Sequence, residues 1–299
     1  MNIGFKEIEK SYSAHENNWK SSHHKLEDNL FIHRNKDCLE YLLKTRTLEI
    51  LQPLLNQKQT WLTVGDYNGF EALYLKEHNQ DVMASDISDY FLIEANKAGF
   101  IDHYQKENVE HLSFDEKSFD YVSCRESFHH FPRAYLGLYE MIRVAKKGVY
   151  LVEPLDIITK MPLLLLVKNF LDRFNPLLIN KVWKNRFSWE TVGNYVFKIS
   201  EREIEKMAMG IGLPCIAFKK MNILTNIKDN TLTVPLDTKL KRKIYSKIKW
   251  LNILGYLHLI PFNMLCSIIF KEMPSQETIS DLEKVGYIVI KLPENPYLK

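Results

Sequence analysis

Strand-like and helix-like segments alternate from residue 58 to residue 154, and this alternation constrains the fold more than any other feature. TWLTVGD, DVMASD, FDYVSCR and GVYLVEP have the length and apolar character of buried strands. Between them lie the helix-like segments GFEALYLKEH, SDYFLIEANKAG and PRAYLGLYEMIRVAKK. Such alternation requires right-handed crossovers and produces a parallel sheet covered by helices on both faces. We therefore predict an α/β fold, doubly wound, with a mainly parallel seven-stranded sheet.

The alternation divides the chain into four predicted segments. They are an N-terminal helical segment at residues 1–57, the α/β core at 58–154, an aromatic-rich lid insertion at 155–199 and a C-terminal completion of the sheet at 200–299. In the last segment, CIAFKKM and Met264–Phe270 are the sixth and seventh predicted strands, and YIVIKLP closes the chain. The lid insertion either covers an acceptor pocket or forms a packing or dimer surface; its aromatic residues include Trp183, Phe187, Trp189 and Tyr195.

Charge and cysteine content exclude several classes of protein. The formal net charge is only +3 at pH 7, so no nucleic-acid partner is expected. The four cysteines lie far apart and three fall in apolar runs, which indicates reduced core residues and neither a disulfide framework nor a metal site. Because the first residues contain no signal-peptide core, we expect a cytoplasmic protein.

Residues 250–270 contain no charged side chain and are long enough to cross a bilayer. Polar residues and a proline interrupt this stretch, however, at Asn252, His258, Pro261 and Asn263. Because proline is disfavoured inside a straight helix, we predict a helix ending near His258, a turn at IPFN and a buried strand at Met264–Phe270. This interpretation excludes a membrane span here.

A second unusual stretch, KLKRKIYSKIK, has six basic residues between Lys239 and Lys249 and no acid. Leu240, Ile244 and Ile248 recur at helical spacing, so the pattern predicts a basic amphipathic helix. Such a helix either lies on an anionic membrane surface or exposes its charges to water above a buried stripe. The sequence leaves both interpretations open.

The segment WLTVGDYNGFEALYL places a tight turn between a buried strand and a helix. Gly65 lets the backbone approach a ligand or adopt a positive φ, and Gly69 allows close contact at the helix start, where free N–H groups favour an anion. Asp86 lies 21 residues after Gly65, at the end of the second strand, where an acid accepts hydrogen bonds from ribose hydroxyls. The alternative is an ordinary βαβ unit whose next helix is capped by Ser88.

Several segments between residues 58 and 154 resemble motifs of the class I S-adenosylmethionine-dependent methyltransferases. TVGDYNG resembles their glycine-rich first motif, ASDIS their second and ENVEHLSFDEKSFDYV their third. RESFHHFPRAYLGLYEMIRVAKKGVYLVEP is similar to their fourth strand, active-site turn, helix and fifth strand. The resemblance implies S-adenosyl-L-methionine as the cofactor, with Asp86 as the ribose acid and Asn108 at the adenine. The implied cofactor-binding residues are Gly65, Asp66, Gly69, Asp86, Ile87, Asn108, Val109 and Arg125.

Three positions complicate this comparison. Thr63 stands where family members usually have an acid, and Tyr67 replaces the middle glycine. Asp66 is the candidate to compensate for the missing acid. Arg125 follows the fourth strand and either contacts the cofactor or pairs with Glu126 or with the first helix of the core.

His129 and His130 follow the fourth predicted strand, and Glu153 ends the fifth. If the acceptor is a hydroxyl, a positioned His takes its proton and Glu153 orients the ring; the alternative is a structural His pair. We expect no metal here. The SFHHFP turn is similar to that of small-molecule and sugar methyltransferases, which implies O-methylation of a sugar or other small molecule. Two other functions stay open: a nicotinamide-dependent oxidoreductase and a non-catalytic S-adenosylmethionine-binding protein.

Overall fold

A computed structural model of the chain describes residues 11–14, 30–156, 161–174, 177, 188–189, 195–224 and 233–297. Its centre is one eight-stranded sheet. The strands are β1 (Thr60–Val64), β2 (Asp81–Asp86), β3 (His103–Lys106), β4 (Phe119–Arg125), β5 (Ala145–Pro154), β6 (Cys215–Met221), β7 (Met264–Phe270) and β8 (Ile288–Lys291). Their order across the sheet is β3-β2-β1-β4-β5-β7-β6-β8.

Helices follow most of the strands. They are α1 (Phe31–Arg34), α2 (Leu39–Leu48), α3 (Phe70–Glu77), α4 (Tyr90–Lys97), α5 (Ala134–Val144), α6 (Pro162–Phe174), α7 (Glu201–Gly210), α8 (Thr238–Tyr256) and α9 (Gln276–Lys284). Side-chain caps fix where some of them begin: Ser200 and Glu203 form a capping box at α7, and Asp237 accepts a hydrogen bond from the Leu240 N–H at α8.

The predicted doubly wound, mainly parallel sheet is confirmed. Strands β1 to β5 pair in parallel, whereas β7 pairs antiparallel with both β5 and β6, and β8 pairs antiparallel with β6. Alternate residues of each strand enter separate cores on the two faces: Trp61 belongs to one buried cluster and Leu62 to the other. Since β1, β2, β4 and β5 are parallel, their last residues meet at one side of the sheet, called the carboxyl edge below.

Three details differ from the sequence prediction. The sheet has eight strands where seven were predicted, because part of YIVIKLP pairs with β6 as β8. Helix α4 begins after Asp89 without a side-chain cap, so the interpretation of Ser88 as its cap is wrong. Of the named lid aromatics, Trp183 and Phe187 lie outside the described residues, while the Trp189 and Tyr195 rings lie 5.6 Å apart, between centroids.

The uncharged stretch at 250–270 folds as predicted. Helix α8 ends at Tyr256, and Met264–Phe270 is the wholly buried strand β7. Within the described ranges, no helix is both long and apolar enough to cross a bilayer. The four cysteines are buried and unpaired, as their apolar surroundings indicated.

The pairing of β5 with β7 yields a stability prediction. A Cβ added at Gly148 would lie 2.7 Å from the carbonyl oxygen of Ile269 on the neighbouring strand. Because backbone cannot move aside as a side chain can, Gly148→Ala should lower the free energy of unfolding by ~1–3 kcal/mol in urea titration.

The matched control is Gly210→Ala at the end of α7, where an added Cβ has nothing within 4 Å. We expect this variant to be neutral or more stable by up to ~1 kcal/mol, since alanine is the better helix former. Equal effects of the two substitutions would contradict the account of the β5–β7 contact.

Candidate active site

The first turn of the carboxyl edge runs from β1 to α3 and contains three left-handed residues. Their φ angles are 66° at Gly65, 43° at Tyr67 and 74° at Gly69. A Cβ at Gly65 would lie 2.6 Å from the Ser127 Cβ, so glycine is required by contact as well as by backbone angle. The Ser127 hydroxyl donates a 2.7 Å hydrogen bond to the Gly65 carbonyl, which ties this turn to the turn after β4.

Asp66 lies buried inside the first turn and holds the start of α3. Its carboxylate accepts hydrogen bonds from the N–H groups of Glu71 and Ala72, at 3.0 and 2.9 Å, and from the Thr63 hydroxyl at 2.9 Å. Burial raises the pKa of Asp66, and these three donors oppose the rise. Thr63, which stands where the family pattern has an acid, therefore donates a hydrogen bond to Asp66, the acid three residues later. The two departures from the pattern fit each other.

Asp86 ends β2 beside the same turn and is 8% exposed. Its two carboxylate oxygens accept from the N–H groups of Tyr67 at 2.9 Å and Ser88 at 3.0 Å. Burial raises the pKa of Asp86 to about 6. A carboxylate has about four acceptor sites, so Asp86 retains capacity for the two hydroxyls of a ribose. The half-buried Ile87 follows it.

Asn108 and Val109 reach the carboxyl edge after β3. The Glu107 N–H donates to the Asp86 carbonyl at 2.9 Å, which places this segment next to the acid. The Asn108 side-chain oxygen accepts from the Glu110 N–H at 3.0 Å and so shapes its own turn. Val109 is buried against Gly137 of α5, where its methyl groups would lie 3.2 Å from an added Cβ.

A fully buried carboxylate connects the ends of β4 and β5. One oxygen of Glu153 accepts from the N–H groups of Ser127 and Phe128, both at 2.8 Å, and the other lies 2.5 Å from His129 Nδ1. Burial raises the pKa of Glu153, while the bond to His129 lowers it in part. The His130 ring lies 4.0 Å from that of His129, between centroids. The structure thus brings His129, His130 and Glu153 together, as their strand-end positions indicated.

Arg125 is nearly buried at the end of β4 and lies among acids. Its guanidinium is 3.3 Å from a Glu126 oxygen and 3.9 Å from a Glu71 oxygen. The sequence indicated Glu126 and the first helix of the core as alternatives to a cofactor contact, and Glu71 belongs to that helix. The pKa of Arg125 is raised, because the attraction of Glu126 and Glu71 outweighs burial.

Sequence reasoning missed two residues of this edge. Ser127 bridges the two turns, and Glu71 is a carboxylate with only 2% exposure in the first turn of α3. Nothing in the segment SFHHFP distinguishes a bridging serine from a surface one. For Glu71 the signal was its place in GFEALYL, where apolar residues surround the acid on both sides.

Residues 62–152, which span β1 to β5, match the family model described as a methyltransferase domain. The chain contains a class I S-adenosylmethionine-dependent methyltransferase domain. The match agrees with the order of motifs and with the carboxyl-edge geometry, and it favours methyl transfer over nicotinamide-dependent oxidation. The cofactor of the domain is S-adenosylmethionine.

Solved structures similar to the methyltransferase include a protein described as an S-adenosylmethionine-dependent methyltransferase from Methanosarcina mazei. It is 16% identical, with 75% of this chain and 98% of that chain covered and a TM-score of 0.47. Another is phosphoethanolamine N-methyltransferase 2 from Haemonchus contortus in complex with S-adenosyl-L-methionine, at 17% identity, 77% and 53% coverage and a TM-score of 0.49. Among curated proteins, none matches the chain.

The burial of Glu71 yields a pH-dependent stability prediction for the methyltransferase. Burial raises its pKa from 4.5 to about 7, so between these values the folded state keeps a proton that the unfolded state loses. The free energy of unfolding therefore falls as pH rises through this window, and the loss is complete above it. Glu71→Gln removes the loss, so the variant should be more stable than wild type by at least ~1 kcal/mol at about pH 8 in urea titration.

At about pH 5 the same comparison should show a smaller difference, because wild-type Glu71 is then mostly neutral when folded. Glu277→Gln is the matched control, since Glu277 is an exposed acid in the first turn of α9. It should cost a few tenths of a kcal/mol at most at either pH, through the helix dipole. A wild type more stable than Glu71→Gln at about pH 8 would overturn the assignment of an unfavourable buried charge.

Proposed function

We propose that the carboxyl edge holds S-adenosylmethionine and that the enzyme methylates a hydroxyl of a sugar or other small molecule, with His129 as the general base. The geometry of the edge fits the cofactor in two respects. Buried Asp86 retains acceptor capacity for the ribose beside a turn whose left-handed glycines bring the backbone close. The residues assigned to the cofactor are Gly65, Asp66, Gly69, Asp86, Ile87, Asn108, Val109 and Arg125.

The observation that carries the proposal is the contact between His129 Nδ1 and the buried Glu153 carboxylate. A carboxylate can only accept, so the neutral ring keeps its proton on Nδ1 and presents the Nε2 lone pair. Glu153 cannot turn away, because Ser127 and Phe128 hold its other oxygen. His129 therefore has a fixed tautomer and a fixed orientation at the carboxyl edge, which are the requirements for a positioned base.

When bound, S-adenosylmethionine would supply an electrophilic methyl group on a positively charged sulfur, and the sulfur would leave with the electron pair of the broken C–S bond. The hydroxyl that attacks must lose its proton, and His129 Nε2 receives it. The imidazolium formed lies against Glu153, whose negative charge stabilises it inside the protein. Glu153 acts here as a positioning residue.

Aromatic rings near the His turn support a ring-shaped acceptor. Phe197 lies 6.5 Å from both Phe128 and Tyr135, between centroids, and 5.1 Å from Tyr195, which in turn contacts Trp189. This series leads from the 3-10 turn that holds His129 to a Trp189 side chain with 67% exposure. Aromatic faces of this kind suit the apolar C–H face of a sugar, so we assign them to the acceptor side.

Asp86 predicts how cofactor binding depends on pH. If its carboxylate accepts ribose hydroxyls, affinity for S-adenosylhomocysteine should fall as pH drops through about 6, where Asp86 becomes protonated. Asp86→Asn should bind at least tenfold more weakly at neutral pH, about 1.4 kcal/mol, and lose that pH dependence. Calorimetry measures both effects.

Asp81→Asn provides the control, because Asp81 is an exposed acid at the start of the same strand. It should bind as wild type does at every pH. Wild-type affinity of Asp86→Asn would contradict the ribose assignment but would leave the methyltransferase domain itself in place.

The base assignment is tested by replacing His129 and its neighbours. His129→Ala should lower kcat by ~10²–10⁴-fold with little change in S-adenosylhomocysteine affinity. Glu153→Gln should also lower kcat, because the amide N–H₂ would face Nδ1 and favour the tautomer that carries its proton on Nε2. Transfer of labelled methyl from the cofactor is measured with sugars and nucleotide-linked sugars, screened first on wild type.

His130→Ala is the matched control for His129, since the two rings are neighbours but Glu153 contacts His129. We expect a smaller loss of kcat for His130. Full activity of His129→Ala would show that positioning alone drives the transfer. Cofactor binding with no transfer to any acceptor would favour the non-catalytic alternative.

A further inference from the structure

Helix α8 carries a cluster of positive charge outside the carboxyl edge. It has six basic side chains, all exposed, and no acid along its nineteen residues. In the part of the chain that the structure describes, none of the six is in an ion pair with a carboxylate. The six are Lys239, Lys241, Arg242, Lys243, Lys247 and Lys249.

Packing on one side of α8 fixes which way two of these charges, Arg242 and Lys249, point. Ile244 and Ile248 are buried and pack with Leu39 and Leu42 of α2. Residues 242, 246, 249 and 253 recur at helical spacing on the side away from that contact. The helix cannot rotate without exposing its buried stripe, so Arg242 and Lys249 are held facing away from that stripe. We call the side with these four residues the basic face.

A groove of about 470 Å³ is lined by residues of the basic face and its border and by Arg46, near the end of α2. Three cationic side chains line it, Arg46, Arg242 and Lys249, together with Tyr245, Ser246 and Tyr256. The Arg46 guanidinium lies 5.2 Å from the Tyr245 ring centroid and 3.9 Å from the Glu49 carboxylate, and its Nε is buried with no hydrogen-bond acceptor among the described residues. Three cations with hydroxyl donors between them suit a phosphate group.

Large apolar side chains lie exposed at the C-terminal end of the same helix. Trp250 is 63% exposed and Tyr256 is 62% exposed, and Leu257 and Leu259 in the following turn are 62% and 65% exposed. Exposed aromatic and aliphatic side chains beside a basic cluster are typical of helices that lie in a membrane interface.

Hydrogen bonds place this end of α8 near the carboxyl edge. The Asn252 side chain accepts from the Asn222 N–H at 2.7 Å, and the Asn222 side chain accepts from the Asn263 N–H at 3.1 Å. The Leu155 N–H, directly after β5, donates to the Asn263 carbonyl at 3.0 Å. The C-terminal end of α8 therefore lies near the carboxyl edge, where Glu153 is found. A membrane in contact with this end of α8 would be close to the same edge.

A second apolar helix face follows β5. Helix α6 begins eight residues after the end of β5 and has no buried residue. Its exposed apolar side chains recur at helical spacing and are Leu163 at 72%, Leu166 at 65%, Phe170 at 62% and Phe174 at 66%. Two separate helices, α6 and α8, thus expose large apolar residues.

From these observations we propose that the methyltransferase docks on an anionic phospholipid bilayer through the basic face. The groove takes a lipid phosphate, Arg242 and Lys249 of the basic face lie against the negative surface, and Trp250 and Tyr256 enter the interface. The charge complementarity commits the surface to this partner, since lysines near an anionic leaflet each strengthen binding about fivefold. The inference extends the proposed function by bringing the carboxyl edge to the membrane.

Flotation with lipid vesicles tests the proposal on the full chain. We expect binding to vesicles of phosphatidylcholine mixed with phosphatidylglycerol, and little to vesicles of phosphatidylcholine alone. Arg242→Ala combined with Lys249→Ala should weaken binding to the mixed vesicles roughly 25-fold, from about fivefold per charge. The matched control combines Lys58→Ala with Lys146→Ala, since both are exposed at the opposite edge of the sheet.

Trp250→Ala separates insertion from charge attraction, because Trp250 is exposed and its removal spares the core. This variant should still bind at low salt but dissociate at a salt concentration that wild type withstands. Affinity for S-adenosylhomocysteine should be unchanged in all these variants, so failure here is distinct from failure of the proposed site.

Three results would overturn the proposal. The first is absence of wild-type binding to the mixed vesicles, and the second is an equal loss in the control variant. The third is binding of inorganic phosphate or of a short RNA without vesicle binding, since the groove would then serve a soluble anion or a nucleic acid.

Discussion

The buried carboxylate of Glu153 is the interaction on which the geometry of the candidate site depends. It is fully buried at the end of β5. One of its oxygens accepts hydrogen bonds from two backbone N–H groups of the turn after β4, and the other contacts His129. Such a group is costly to bury unless it is fully hydrogen-bonded, which these partners achieve. Through Ser127, the same β4 turn is bonded to Gly65, so three strand ends are held as one unit.

The electrostatics of the carboxyl edge depend on four buried carboxyl groups. Burial raises the pKa of Asp66, Glu71, Asp86 and Glu153. Arg125 lies among the first two and offsets part of their charge. An edge with more buried carboxyl groups than cations favours a positively charged ligand over an anionic one. The sulfonium of S-adenosylmethionine satisfies that preference.

The sequence predicted the elements whose signals are local. Apolar strands such as β1 and β5 are buried on both faces. The short β3 has the polar composition HYQK and no apolar run to reveal it. The strand ends correctly placed His129 beside Glu153, because parallel topology fixes where such ends meet.

Contacts between distant segments could not be predicted in this way. The approach of Ser127 to Gly65 depends on how two turns pack, and the burial of Glu71 depends on Arg125, which lies more than fifty residues away. The eighth strand depends on β6 having a free edge, which is set by the whole sheet order. Such features come from tertiary packing, whereas propensity and periodicity describe only neighbours in the chain.

The position of β7 between β5 and β6 has a consequence for biosynthesis. Because β5 and β6 do not pair with each other, β5 keeps an open edge until residues 264–270 leave the ribosome. An unpaired, apolar strand edge is a template for wrong pairing, and long-range pairings form slowly. More than one hundred residues separate β5 from the strand that covers it, so the nascent chain must keep that edge protected during most of the synthesis of its second half.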